Sequence, residues 1–254
     1  MPSLIFLIVL LTTSIYAQEP HWHSPKYIEE SFYDIALKNE YKKGDSFLRK
    51  WLSPIKIKIV HHIGDQELHT KLLKMHTDNL GQISNHSIQY VDNRDKANLI
   101  IYFTKSKLYN PLIKKYIGEQ SIPMLKGSVC LGNFKLDKNN NIKNGLIIIP
   151  VDRARYHGKL VSCIVEEITQ LMGLPNDSKT VYPTIFSDTN IYSLLTGLDY
   201  LLLKLLYQQE LISGMTKKDL STIIPKILSK WKKDGTIANA QSEVLKGELY
   251  HLLK

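Results

Sequence analysis

A chain of 254 residues with 43% hydrophobic and 22% charged side chains has an ordinary globular composition, which excludes fibres, collagen-like repeats and wholesale disorder. Thirty-three Lys and Arg against 24 Asp and Glu leave a net charge of +9. The basic residues are scattered rather than massed, and no helix-turn-helix, zinc-finger or RNA-binding signature accompanies them. That scatter speaks against nucleic acid, and the charge reads as attraction to an acidic envelope surface or polymer, or simply as solubility.

Leu4 to Leu11 read LIFLIVLL, far short of the ~20 apolar residues that cross a bilayer, and the small Ala17 precedes Gln18. This shape predicts a signal peptide over residues 1–17, a mature chain from Gln18 with no transmembrane anchor, and a periplasmic or secreted location. Two features are atypical: residues 2–17 hold no Lys or Arg, and Ile15 is large for its place. A buried N-terminal strand or helix of a cytosolic protein is the alternative. The two cysteines, Cys130 and Cys163, are compatible with a disulfide in an oxidising compartment, or with two buried thiols.

Residues 18–54 read as a short helical lead-in centred on Ile35, Ala36 and Leu37. Ile55, Ile57 and Ile59 alternate with Lys56 and Lys58, the period of a half-buried strand. A helix is expected from Asp65 to Leu80 with Gly81 as its stop, then strands at Ser87 to Val91 and Asn98 to Thr104. Residues 105–126 read as a long connection with some helix. Ser128 to Leu131 and Gly145 to Val151 read as strands of a hairpin around the polar loop Asp137 to Asn144, leaving an antiparallel strand at the sheet edge. Helices are expected over Arg153 to Met172, Tyr192 to Gln209, Asp219 to Trp231 and Ser242 to Leu253. With no repeat and no clean linker, residues 18–254 read as one α+β domain: a mixed sheet packed on a motif-bearing helix, followed by a helical C-terminal part.

The chemistry concentrates on the helix through Cys163 to Met172. At about 100° per residue, Leu160, Val161, Ile164, Val165, Ile168, Leu171 and Met172 share one face, leaving Cys163, Glu166 and Gln170 opposite with Glu167 at the border. Glu166 and Gln170, four apart, are neighbours; Glu166 and Glu167 diverge and cannot form a facing dyad. The spacing is that of the zinc-peptidase helix H-E-x-x-H with its extension past a glycine. Here Glu166, Gln170 and Asn176 stand at the three ligand positions, Glu167 at the general-base position and Gly173 at the turn. Thr184, Ile185, Phe186, Ser187 and Asp188 are similar to the turn beneath the metal, with Phe186 in place of a methionine.

The run Cys163, Ile164, Glu166, Glu167, Thr169, Gln170, Gly173, Leu174, Asn176 and Asp177 resembles the signature of a bacterial family of exported proteins, domain-of-unknown-function family 2927. Ile185, Phe186, Leu195, Thr196, Leu198 and Asp199, the pair Ala97 and Asn98, and the pair Gly214 and Met215 extend the resemblance over roughly residues 50–232. It implies an exported protein with a zincin-like architecture and implies no established reaction.

One carboxylate and two amides in place of imidazoles suit calcium, magnesium or manganese better than zinc, and three such ligands would bind weakly, which leaves the metal and any cofactor unassigned. Asp177 would add a second carboxylate, or Asn176 and Asp177 would cap the turn. Three readings follow. The first is a cleft lined by Glu166, Glu167, Gln170, Asn176 and Asp177 that binds a peptide or envelope component. The second is a hydrolase with Glu167 as general base on a water polarised by an oxygen-liganded cation, or by no metal at all. The third is a structural envelope protein whose polar ridge packs on the loop at Thr184. Elsewhere, His61 and His62 read as strand-end residues and His157 as a core or cap histidine. Asp199, among leucines, needs a partner in the motif loop or a lysine, and Ser162 lacks nucleophile partners.

Overall fold

The computed structural model describes residues 20–38, 46–125, 127–187 and 192–253. The expected signal peptide and Asp188 lie outside the described residues. Among these, no helix is long and apolar enough to cross a membrane.

Helix α1 (Pro25–Phe32) opens with proline in its first turn, where a missing N–H costs nothing, and widens into a π turn over Tyr33–Leu37 that buries Ile35, Ala36 and Leu37. Strand β1 (Ile55–His61) follows, then helix α2 (Gln66–Ser84), strand β2 (Ile88–Tyr90), strand β3 (Leu99–Thr104), helix α3 (Ser106–Tyr116) and the hairpin of β4 (Leu131–Leu136) and β5 (Ile142–Pro150). The remaining helices are α4 (Val151–Tyr156), α5 (Leu160–Leu171), α6 (Gly197–Leu206), α7 (Lys217–Leu220), α8 (Ile224–Lys233), α9 (Thr236–Val244) and α10 (Glu248–Leu253). The sheet order is β2-β1-β3-β5-β4, parallel except for the antiparallel pair β4/β5. The fold is α+β, a mixed sheet with helices following.

Alternation sorts the strands onto two faces. Ile55, Ile57, Leu99, Ile101, Phe103, Ile147 and Ile149 enter the main core, which the helices cover and which reaches from Ile28 in α1 to Leu249 in α10. Tyr102, Leu131 and Ile148 face the other way, into a smaller core with Tyr109 and Ile113 of α3.

Helix α5 lies unusually close to the sheet because two strand glycines make a notch. A Cβ at Gly132 of β4 would collide with one δ-methyl of Leu171, and one at Gly145 of β5 would stand 2.9 Å from the other. Trp51 completes the seat: its Nε1 donates to the Leu171 carbonyl at 2.7 Å. Beyond the helix, Gly173 adopts φ +122°, and a Cβ there would strike the Arg49 carbonyl.

Several expected boundaries move, each for a local reason. Gly81 is inside α2, which runs to Ser84 and stops where Asn85 takes φ 52°. The single helix expected over Arg153 to Met172 is two, α4 and α5, broken where Gly158 takes φ 65°. His157 is therefore exposed at the C-terminus of α4, not on an apolar face. The strand expected at Ser128 to Leu131 begins at Leu131, placing Cys130 just before it. Helix α6 starts only at Gly197, because Thr196 and Asp199 form a capping box. The last two expected helices are four: α7 separates from α8, and α9 ends at Val244, ahead of Gly247 and α10.

Cys130 and Cys163 form a disulfide that ties the entry of β4 to the first turns of α5 across a sequence separation of 33. Closing a loop of that length constrains the unfolded chain by about 3 to 4 kcal/mol. Cys130→Ser with Cys163→Ser is expected to lower the unfolding free energy measured by urea titration by most of that amount. Gly173→Ala is expected to cost more than about 2 kcal/mol, because strain and collision coincide there; a stability change near zero would refute the Arg49 contact.

Candidate functional site

Packing of Leu171 into its notch turns the polar side of α5 toward the edge of the sheet. Glu166, Glu167, Gln170 and Asp177 line one cleft, with Ser162, Lys159, both half-cystines, and Gly127, Ser128, Val129 and Gly132 from β4 and the segment before it. Its volume is about 170 Å³. Small-molecule pockets start near ~300 Å³, so this one has room for a single side chain or short group.

Glu167 is the most enclosed of the acids, 8% exposed, although it stands at the border of the polar face. The missing Cβ of Gly132 makes room for it: a methyl group there would lie 2.8 Å from Glu167 Oε2. Gln170 Nε2 donates to Asp177 Oδ1 at 2.8 Å, which fixes the amide at the far end of the ridge. Arg153 holds the opposite wall by donating from Nη2 to the Val129 carbonyl at 2.7 Å.

Asn176 does not join this group. Its side-chain amide donates to the Asp34 carbonyl at 3.0 Å and its backbone N–H to the Ile35 carbonyl at 3.2 Å, so it fastens the π turn after α1. Adjacent Ser178 donates to the Asp34 carboxylate at 2.5 Å. The three positions that spacing assigns to metal ligands thus separate: Glu166 and Gln170 stay at the cleft, and Asn176 is used as a pin. Among the described residues, no group of three or more His, Cys, Asp or Glu is arranged to hold a metal ion. The residues present do not fit the zinc of the peptidase motif.

Two buried groups outside the motif hold it in place. His76 of α2 reaches the middle of α5, with Nε2 3.1 Å from the Val165 carbonyl and 3.0 Å from Thr169 Oγ1. Thr169 spends its own proton on the Val165 carbonyl at 2.6 Å, so both groups accept and His76 Nε2 carries the hydrogen. Complete burial pushes the imidazole down to about 4, so it is neutral. Asp199 anchors the loop after the motif: it accepts from Thr184 Oγ1 at 2.5 Å, the Ile185 N–H at 3.1 Å, and the Thr196 N–H and hydroxyl at 2.8 and 2.9 Å. This is the motif-loop partner its place among leucines requires. Burial pushes the carboxyl up to about 6, against the four donors, which favour its charged form.

His61 ends β1 and His62 follows it. His61 stacks on Phe103 with centroids 5.3 Å apart, and His62 is exposed. Ser162 donates to the Lys159 carbonyl at 3.1 Å. Sequence spacing gave no weight to His76 or Gly132. A glycine inside a strand marks close approach, but the expected strand stops at Leu131, one residue short of Gly132.

The two buried groups give pH dependences of opposite sign. His76, depressed in the fold, contributes stability that is complete above the unfolded value of ~6.5 and is lost as pH falls toward 4. Asp199, raised in the fold, contributes stability that is complete below ~4 and is lost as pH rises through about 6. Each contribution is on the order of 3 kcal/mol. From pH 7 to 4.5, the stability gap between wild type and His76→Gln should therefore narrow, and that between wild type and Asp199→Asn should widen. Urea unfolding at several pH values measures both slopes; slopes of the same sign would contradict the assignments.

Among curated proteins no sequence matches the chain. A family profile described as "Protein of unknown function (DUF2927)" matches residues 25–226, a span that includes the cleft, the Asp199 anchor and every strand of the sheet. The chain belongs to that family.

Proposed function

We propose that this is an exported binding protein, periplasmic or secreted, whose cleft receives one side chain of an extended peptide or peptide-bearing envelope component. The observation that carries this reading is the position of β4. It is an edge strand, bonded to β5 on one side, and its entry and Gly132 form a wall of the cleft. An unpaired strand edge offers backbone N–H and C=O groups to an incoming strand, with adjacent pockets for alternate side chains. Three carboxylates against one lysine favour a basic side chain in the pocket.

A second reading is supported by the enclosure of Glu167. A carboxylate 8% exposed beside the strand edge lies near where a bound peptide's carbonyl would pass, the placement a general base for water requires. In that reading the chain is a hydrolase using Glu167.

A fluorescent β-strand heptapeptide with a central lysine tests both. It is expected to bind better than its central-glutamate counterpart, to lose binding when alternate amides are N-methylated, and to bind Glu167→Gln less tightly without being cleaved. Product peptides formed by wild type and absent with Glu167→Gln would select the hydrolase. Neither binding nor cleavage would sink both readings.

A further inference from the structure

We propose that the uncovered half of the α3-side face of the sheet is a docking trough for a linear polymer of acidic sugars. This surface is separate from the cleft. Helix α3 packs over β5, and no described helix covers the same face of β1 and β2. Alternation puts Lys56, Lys58 and Val60 of β1 on that face, with Gln89 of β2 beside Lys56 and His62 just past the end of β1. The two lysines stand about 6.6 Å apart along the strand.

A fixed arginine closes the row. Arg94 Nη2 donates to Tyr116 Oη at 2.8 Å, Tyr102 Oη donates to the same oxygen at 2.9 Å, and the guanidinium lies 5.4 and 5.9 Å from the two ring centres. The His62 ring also meets Tyr102, with ring centres 5.5 Å apart. An arginine held by a hydrogen bond and two aromatic rings starts from fewer rotamers, so less is lost on binding an anion. Lys115 adds a charge at Tyr116. Among the described residues, none of Lys56, Lys58, Arg94 and Lys115 makes an ion pair, whereas neighbouring Lys114 is matched by Glu119 at 2.7 Å.

Chemistry narrows the occupant. Lysine and arginine donate hydrogen bonds and accept none, so the face selects an acceptor-rich anion. Val60 and Ile100 are its half-buried apolar residues, too little for the apolar anchors on which protein partners depend. Nucleic-acid bases need free aromatic faces, but Tyr102 is buried and Tyr116 is engaged by Arg94. A flat bilayer is held off because α3 stands about 10 Å proud of the strands. A polyuronate needs only what is present: cations for its carboxylates, and Gln89 and His62 for its hydroxyl groups.

Fluorescein-labelled polygalacturonate, titrated into the full chain by anisotropy, tests the assignment. Binding is expected, with affinity falling between about 50 and about 200 mM NaCl as counterions compete. Lys58→Glu with Arg94→Glu is expected to reduce affinity by about tenfold or more. Lys226→Glu with Lys230→Glu, the same charge change on α8, is expected to leave most of it. Tyr116→Phe, which keeps every charge and frees Arg94, is expected to give a smaller loss at an unchanged melting temperature. Should charge reversal unfold the chain, Lys58→Gln with Arg94→Gln carries the same expectation. The proposal is overturned if polygalacturonate does not bind or both double variants lose affinity equally. It is also overturned if polyphosphate, oligothymidylate or phosphatidylglycerol vesicles bind as tightly through Lys58 and Arg94.

Discussion

The seat of Leu171 is the contact on which the rest of the arrangement depends. Two strand glycines, Gly132 and Gly145, and the Trp51 indole form a notch that accepts one leucine and brings α5 down onto β4 and β5. Close packing of that kind tolerates little change in volume. Once the leucine is seated, rotation of the helix is fixed, and its polar residues have one place to go, along the open edge of the sheet. Glu167 is enclosed by the same glycine that admits Leu171, so core packing and the character of the cleft share a cause.

Around that contact, polar groups act as fasteners. His76 ties α2 to the centre of α5, Asn176 ties the motif loop to the turn after α1, and Asp199 ties the segment at Thr184 to α6. Each is buried and hydrogen-bonded, the condition under which burying a polar group is tolerable. The disulfide adds a covalent strap at the mouth of the cleft. The motif helix is thereby held by His76 and the disulfide, and the segments that follow it by Asn176 and Asp199, while its polar side beside β4 lines the cleft.

Charge is unevenly divided over this basic chain. The cleft is acidic, with Glu166, Glu167 and Asp177 against Lys159, while Lys56, Lys58 and Arg94 gather on the opposite face of the sheet. Strand alternation is what separates them, since β1 sends isoleucines into the main core and lysines away from it. A net charge of +9 thus coexists with a cleft lined mainly by acids.

Local pattern in the sequence determined a good deal. The alternation of Ile55 to Ile59, the apolar run at Leu99 to Phe103 and the helical face of α5 were legible because periodicity reports burial directly. The ridge of Glu166 and Gln170 was legible because four residues make about one helical turn. Helix ends were less so: Gly81 and Gly158 are the same residue type, yet one sits inside a helix and the other breaks one, and only φ distinguishes them. Tertiary structure alone decided that Asn176 turns to Asp34 instead of the cleft. A side chain just past a glycine has no periodicity, and its direction is set by whichever distant backbone group packs beside it. The same holds for His76 and Gly132, whose roles exist only because α2 and β4, remote in sequence, meet α5.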